Sequence, residues 1–213
     1  MILQPDKLTV VLAGSFNPAI LTPQWISRHG LQEPVGQNFV VEMATQFGPI
    51  GGIQRFTFGG ISYSPNFNNI TFFVGAADAV GRQRTCSAAA RMLETLPHTP
   101  IQGVGFNFVF LIAEPSQELL QLLRANETLA AALTDGAEVV ARGWSNVLRW
   151  REAVVTYQTQ IDAQQQAMVE VNFHYGVTTA AAAAAVLGDL TAYETHFAAA
   201  VAGATALSGQ PLE

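Results

Sequence analysis

Two prolines within four residues, Pro97 and Pro100, stand directly before a run that alternates in character from Ile101 to Phe110. Helix cannot continue through them, because each proline lacks an N–H and restricts the residue before it. Thr99, just before Pro100, is pushed to an extended conformation. Beyond it, Ile101, Gly103, Gly105, Asn107 and Val109 fall on one face of a strand, and Gln102, Val104, Phe106, Phe108 and Phe110 on the other. The second face is apolar from Val104 onward. Two glycines within a strand signal a bulge or the close approach of another element. The expectation is a central buried strand with a helix on its glycine face. The competing reading is a backbone-lined ligand cleft with His98 at its mouth.

The chain before this stretch carries strand signals. Leu8–Leu12 is β-branched and apolar and stops at Gly14. Thr22 can cap a short helix that opens at Pro23, with Trp25 and Ile26 turned inward. From Asn38 to Ala76 the pattern is a meander: strands at Phe39–Met43, Ile53–Phe58 with a continuation at Ile61–Ser64, and Ile70–Val74. These are separated by Gly48–Gly52, Gly59–Gly60 and Asn66–Asn69. Asp78–Leu96 reads as a helix with Val80, Ala89, Leu93 and Leu96 on its apolar side and Arg82, Arg84 and Glu94 in water.

After the central strand, Glu114–Ser116 opens a helix with Leu119, Leu122, Leu123, Leu129 and Leu133 inward, ending at Thr134–Gly136. Glu138–Arg142 is a short strand, Gly143–Asn146 a turn, Val147–Ile161 one long strand, and Asp162–Gln166 a polar turn. Met168–Tyr175 is a further strand with Val169, Val171, Phe173 and Tyr175 on one face. Thr178 or Thr179 then caps a single alanine-rich helix to about Leu207. The order of strands, helix, strand, then helix, strands, helix predicts an α+β fold: an antiparallel sheet, built from two loosely repeated strand-rich halves, with helices packed on one face. No long linker interrupts the chain. It is expected to form a single domain over 1–213 with internal halves at 1–113 and 114–213.

Charge narrows the function classes. The 213 residues carry 10 Lys and Arg against 16 Asp and Glu, a net charge of −6, with Lys7 the single lysine and no Lys or Arg after Arg151. A nucleic-acid binder needs a basic stripe, so nucleic acid is not an expected partner. The group Arg142, Trp144, Arg149, Trp150 and Arg151 could stack bases, but arginines snorkelling over a sheet surface explain it at this net charge. Few charges on an apolar chain favour hidden surface, and self-association is the expected partnership. Cys86 is the single cysteine, which excludes an internal disulfide and fits a reducing cytoplasm. The N-terminal residues lack the basic and apolar regions of a signal peptide. No apolar run of about 20 residues exists, so no membrane span is expected.

Three motifs occur together: Ser15-Phe16-Asn17-Pro18-Ala19 with Pro23 and Trp25, Leu96-Pro97-His98-Thr99-Pro100-Ile101 running into Gly103, Gly105 and Asn107, and Val171-Asn172-Phe173-His174-Tyr175. The combination resembles a family of uncharacterised bacterial proteins of about this length. The alanine-rich tail and the segment Arg82–Arg91 depart from it. The resemblance implies a cytoplasmic bacterial protein and names no activity, substrate or cofactor.

Candidate chemistry is sparse. His29, His98, His174 and His196 show no metal-ligand spacing, and there is no zinc, Walker A or nucleophile-elbow pattern. Gly103-Val104-Gly105 lacks the third glycine and following helix of a dinucleotide site. If their strands neighbour, His98 and His174 could join Asn107 and Asn172 in a polar cluster. The simpler role for those four is tying loop and strand backbone together as satisfied hydrogen-bond partners. No catalytic residue, metal or cofactor is expected. The first functional reading is a non-catalytic interaction or assembly protein that forms homo-oligomers through protein–protein contact. The alternative is a small-molecule-binding protein or enzyme with a polar cleft near His98, Asn107, Asn172 and His174.

Overall fold

The computed structural model describes residues 1–33, 40–44, 53–74, 79–123, 142–161, 166–188 and 190–213. Its strands are β1 (Ile2–Leu3), β2 (Thr9–Gly14), β3 (Val40–Ala44), β4 (Ile53–Phe58), β5 (Ile61–Pro65), β6 (Asn69–Phe73), β7 (Ile101–Ile112), β8 (Arg142–Trp150), β9 (Ala153–Ile161) and β10 (Ala167–Tyr175). The helices are α1 (Pro23–Ile26), α2 (Ala79–Thr95), α3 (Gln117–Leu123), α4 (Ala180–Gly188) and α5 (Leu190–Ser208). Hydrogen bonding orders the strands β3-β4-β5-β6-β2-β7-β10-β9-β8, with β1 beside β7. The fold is α+β with an antiparallel sheet. The chain divides into two compact units: Pro5–Asn107 with His174–His196, and Met1–Gln4 with Phe108–Phe173 and Phe197–Glu213. Strands β7 and β10 give residues to both.

In the first unit, alternation in the sequence becomes a buried face. Val10 and Leu12 of β2 are buried while Val11 is half-buried, and β6 repeats the pattern with Ile70 and Phe72. The register places Val10 between Phe72 and Phe106, and Leu12 between Ile70 and Val104. Cross-strand apolar pairs of this kind are what stabilise a sheet. Tyr63 lies opposite both Phe56 and Phe72, and its hydroxyl donates to the Leu21 carbonyl at 2.8 Å. The Thr22 cap forms as expected: its hydroxyl accepts from the Trp25 amide and Pro23 is the first helical residue. Ile26 is buried, whereas Trp25 is half-buried.

Helix α2 departs from its expected faces. Val80 is 76% exposed. Arg82, expected in water, is 5% exposed and paired with Glu194. The helix buries Cys86, Ala88, Ala89, Met92 and Leu93. The space a Cβ would take at Gly103 holds the His174 imidazole and the Tyr175 carbonyl of β10, where a helix had been expected. That carbonyl would lie 3.0 Å from the added carbon.

In the second unit, Phe108, Phe110, Val155, Ile161, Val169, Val171 and Phe173 are buried with Leu119 and Leu123 of α3. The Ser116 hydroxyl caps α3 by accepting from the Leu119 amide. Two expectations are corrected. Gly143–Asn146 is not a turn but part of β8, and Val147–Ile161 is not one strand. A hairpin turns at Arg151-Glu152, between the paired residues Trp150 and Ala153. Arg151 takes φ 54 without being glycine, so the usual glycine or asparagine turn signal is missing. The C-terminal segment is helical as expected, described as α4 up to Gly188 and α5 from Leu190, with residue 189 outside the described residues. Thr179 caps α4, accepting from the Ala182 amide, and Gly209 at φ 71 ends α5, as left-handed glycines do.

The expected elements at Gly48–Gly52, Leu129–Gly136 and Glu138–Ala141, and nearly all of the turn at Asp162–Gln166, lie outside the described residues.

Candidate functional site

His98 sits in the loop that the two prolines impose. The Leu96 amide closes α2 on the Met92 and Leu93 carbonyls, and the Thr99 amide turns back to the Leu96 carbonyl at 3.1 Å. The Ser15 amide donates to the Pro100 carbonyl at 2.9 Å, fastening this loop to the turn after β2. In that turn the Asn17 side-chain oxygen accepts from the Ala19 amide at 3.1 Å, the local bond that suits asparagine to turns. Between the two loops lies a pocket of about 380 Å³, with Ser15, Asn17, Thr95 and His98 among its lining residues. His98 itself is exposed. Among the described residues no hydrogen bond joins it to Ser15, Thr95 or Thr99, the hydroxyls a general base would need within reach.

The other three residues of the expected cluster do not line this pocket. Asn107 is half-buried and donates to the Thr9 hydroxyl across the β2–β7 pair at 2.9 Å. His174 is exposed and lies over Gly103. Asn107 is four residues further along β7 than Gly103, roughly 13 Å at strand rise. Asn172 is half-buried in the second unit.

A buried polar network in the first unit was not anticipated. The Arg82 guanidinium meets the Glu194 carboxylate twice, Nε to Oε1 at 2.8 Å and Nη2 to Oε2 at 2.7 Å. Its centre is 5.9 Å from the Tyr193 ring. One helical turn on, burial pushes the Cys86 thiol up to about 12, with the Glu194 charge adding to the shift. Only the thiolate is nucleophilic, so Cys86 is inert at neutral pH. Burial also raises Tyr193 well above the usual phenol value, Cys86 and Glu194 adding and Arg82 opposing. Nearby, the His196 ring stacks on Phe106 with centroids 4.8 Å apart. Its Nδ1 contacts the Ala192 carbonyl, which can only accept, so Nδ1 carries the proton. Nε2 and the Tyr175 hydroxyl share a hydrogen bond of 2.5 Å.

A second pocket of about 690 Å³ has Thr22, Trp25, Arg28, His29 and Glu33 among its lining residues. The Trp25 and His29 rings meet at a tilt of 36° with centroids 4.6 Å apart. A π-helical turn at Ser27–Leu31 follows α1 and ends at Gln32 with φ 58. The four-residue spacing of Trp25 and His29 after Pro23 was the sequence signal available for this contact. Among the described residues, no group of three or more His, Cys, Asp or Glu could hold a metal ion, and no helix is long and apolar enough to cross a membrane.

Among the described side chains of the sheet, Val147 of β8 is the most exposed apolar one. Among the described residues β8 pairs only with β9. Along its nine residues none is fully buried. Val147 is 61% exposed and Leu148 46%, and these two adjacent residues point to opposite faces. The face that carries Leu148 is the inward one, because its partners Ala153, Val155, Thr159 and Ile161 on β9 are buried. A long edge strand with exposed apolar side chains is a template for pairing with another chain.

No protein-family model, curated protein or solved structure matches this chain significantly.

Proposed function

We propose that this chain is a non-catalytic assembly protein that works through self-association, in the cytoplasm. The observation that carries the reading is β8: among the described residues, a nine-residue sheet edge with Val147 and Leu148 exposed on its two faces. Soluble proteins ordinarily blunt such an edge with lysine, proline, a bulge or a covering element. β8 carries Arg142 and Arg149 but neither lysine nor proline, and its pairing with β9 runs without a register shift. The low charge of the chain and the burial of its single thiol are consistent with the same reading. Light scattering after size exclusion tests it at micromolar concentration. The expected mass is at least twice the chain's 22.8 kDa. A clean monomer overturns the reading and moves attention to the pocket at His98.

A further inference from the structure

We infer that the partner is a second copy of this chain, joined to the first by antiparallel pairing of β8 with itself, centred on Asn146. The inference rests on the self-association proposed above and specifies its surface.

The hairpin fixes which backbone groups are available. Trp150 and Ala153 flank a two-residue turn, so they exchange both of their hydrogen bonds. Counting back in twos, Leu148, Asn146, Trp144 and Arg142 also bond to β9. Arg149, Val147, Ser145 and Gly143 therefore direct their N–H and C=O groups away from the hairpin. A partner strand has to meet those four residues.

A second β8 does so across its whole length when Asn146 faces Asn146. Ser145 then exchanges hydrogen bonds with Val147 of the other copy, and Gly143 with Arg149. The closer, non-bonded pairs are Trp144 with Leu148 and Arg142 with Trp150. This register uses all nine residues, and any symmetric alternative leaves an end unpaired. No arginine lies opposite an arginine, and Arg142 comes against an indole, a favourable partner for a guanidinium. Trp144 and Leu148 belong to the inward face of β8, where Trp144 is half-buried and Leu148 half-exposed. The second copy continues that face and covers what the edge leaves open, the isologous arrangement of a two-fold dimer.

Cysteine scanning tests the pairing, since the native Cys86 is buried and inert. In the proposed register position 146 alone faces its own copy, with Cα atoms about 4.5 Å apart, within disulfide range. At position 147 the two copies are diagonal, about 8 Å apart. Under mild oxidation Asn146→Cys should give a covalent dimer in high yield and Val147→Cys little. Ser145→Pro supplies a second measurement. It removes an outward N–H and leaves the ladder to β9 intact, so it should shift the species to monomer with the far-UV spectrum unchanged.

A dimer by light scattering in which Asn146→Cys does not cross-link and Ser145→Pro has no effect overturns this surface while leaving self-association standing. A dimer that cross-links at Val147→Cys instead overturns the register. A wild-type monomer overturns both the surface and the self-association reading. An edge that stays monomeric yet takes up an extended segment of a different protein gives that same result and is likewise counted against the inference.

Discussion

Arg82 shows why single residues of this chain are hard to place from sequence. Its neighbours on α2 mark it as a solvent-facing helix arginine, but its partner Glu194 is 112 positions away. Nothing local announces the pair. The same holds for Tyr175 and His196, 21 positions apart and joined by one hydrogen bond. Glu194 keeps 41% of its side-chain surface in water, whereas Arg82 keeps 6%. That asymmetry makes a prediction. Glu194→Ala strips a buried guanidinium of its carboxylate and should destabilise the fold by about 3 kcal/mol. Arg82→Met fills the same space with apolar atoms and leaves a carboxylate that can regain water, so it should cost less than about 1.5 kcal/mol. Urea unfolding of the two variants decides it, and equal losses would contradict the asymmetry. Of the four polar residues expected to cluster, His98 was legible as the residue at a proline-built loop. The grouping was not, because it depended on which strands neighbour and in what register.

Elements were legible where hydrophobic period and turn chemistry agreed. β2, β6 and β10 alternate cleanly, Gly59-Gly60 and the asparagines of Asn66–Asn69 supply turns, and Thr22 and Thr179 supply caps. The β8–β9 hairpin was missed for a physical reason. Its turn is Arg151-Glu152, and Arg151 sits at φ 54, a region that ordinary side chains avoid. The Arg151 guanidinium lies over the Trp150 ring at 4.6 Å. That contact is exposed and worth roughly 0.5 kcal/mol, too little to be what shapes the turn. Backbone conformation should therefore dominate substitution there. Arg151→Val, β-branched at positive φ, should destabilise by about 1 kcal/mol. Arg151→Gly should stay within about 0.5 kcal/mol of the native chain, since relief of strain offsets the lost contact and the added freedom of the unfolded chain. Similar losses in both variants, by thermal melting, would mean that the guanidinium over Trp150 holds the hairpin. The alanine-rich tail was legible as helix, and the described residues are helical over Ala180–Gly188 and Leu190–Ser208.

At the scale of the whole molecule, what the chain buries sets its response to pH. Cys86, Tyr63 and Tyr193 all have their pKa raised, chiefly by burial, the thiol from 9.0 to about 12. In the unfolded chain they lose their protons near their ordinary values, about 9 for the thiol and 10 for the phenols. Between those values and the folded ones the unfolded state binds fewer protons than the native state. Stability must then fall as pH rises, the sign required when a folded pKa lies above the unfolded one. The contribution of these groups is complete below about pH 9 and is lost from there to about pH 12 and beyond. Each group adds a slope on the order of 1.4 kcal/mol per pH unit once the pH exceeds its unfolded value. Urea midpoints at pH 8 and pH 10.5 should therefore drop with little change in m. General charge repulsion in a chain of net charge −6 also grows with pH, so a control is needed. The double variant Cys86→Ala with Tyr193→Phe removes two of the three titrations without changing the surface. It should show a shallower loss over the same interval. A slope unchanged in that variant would mean that Cys86 and Tyr193 do not carry the alkaline destabilisation.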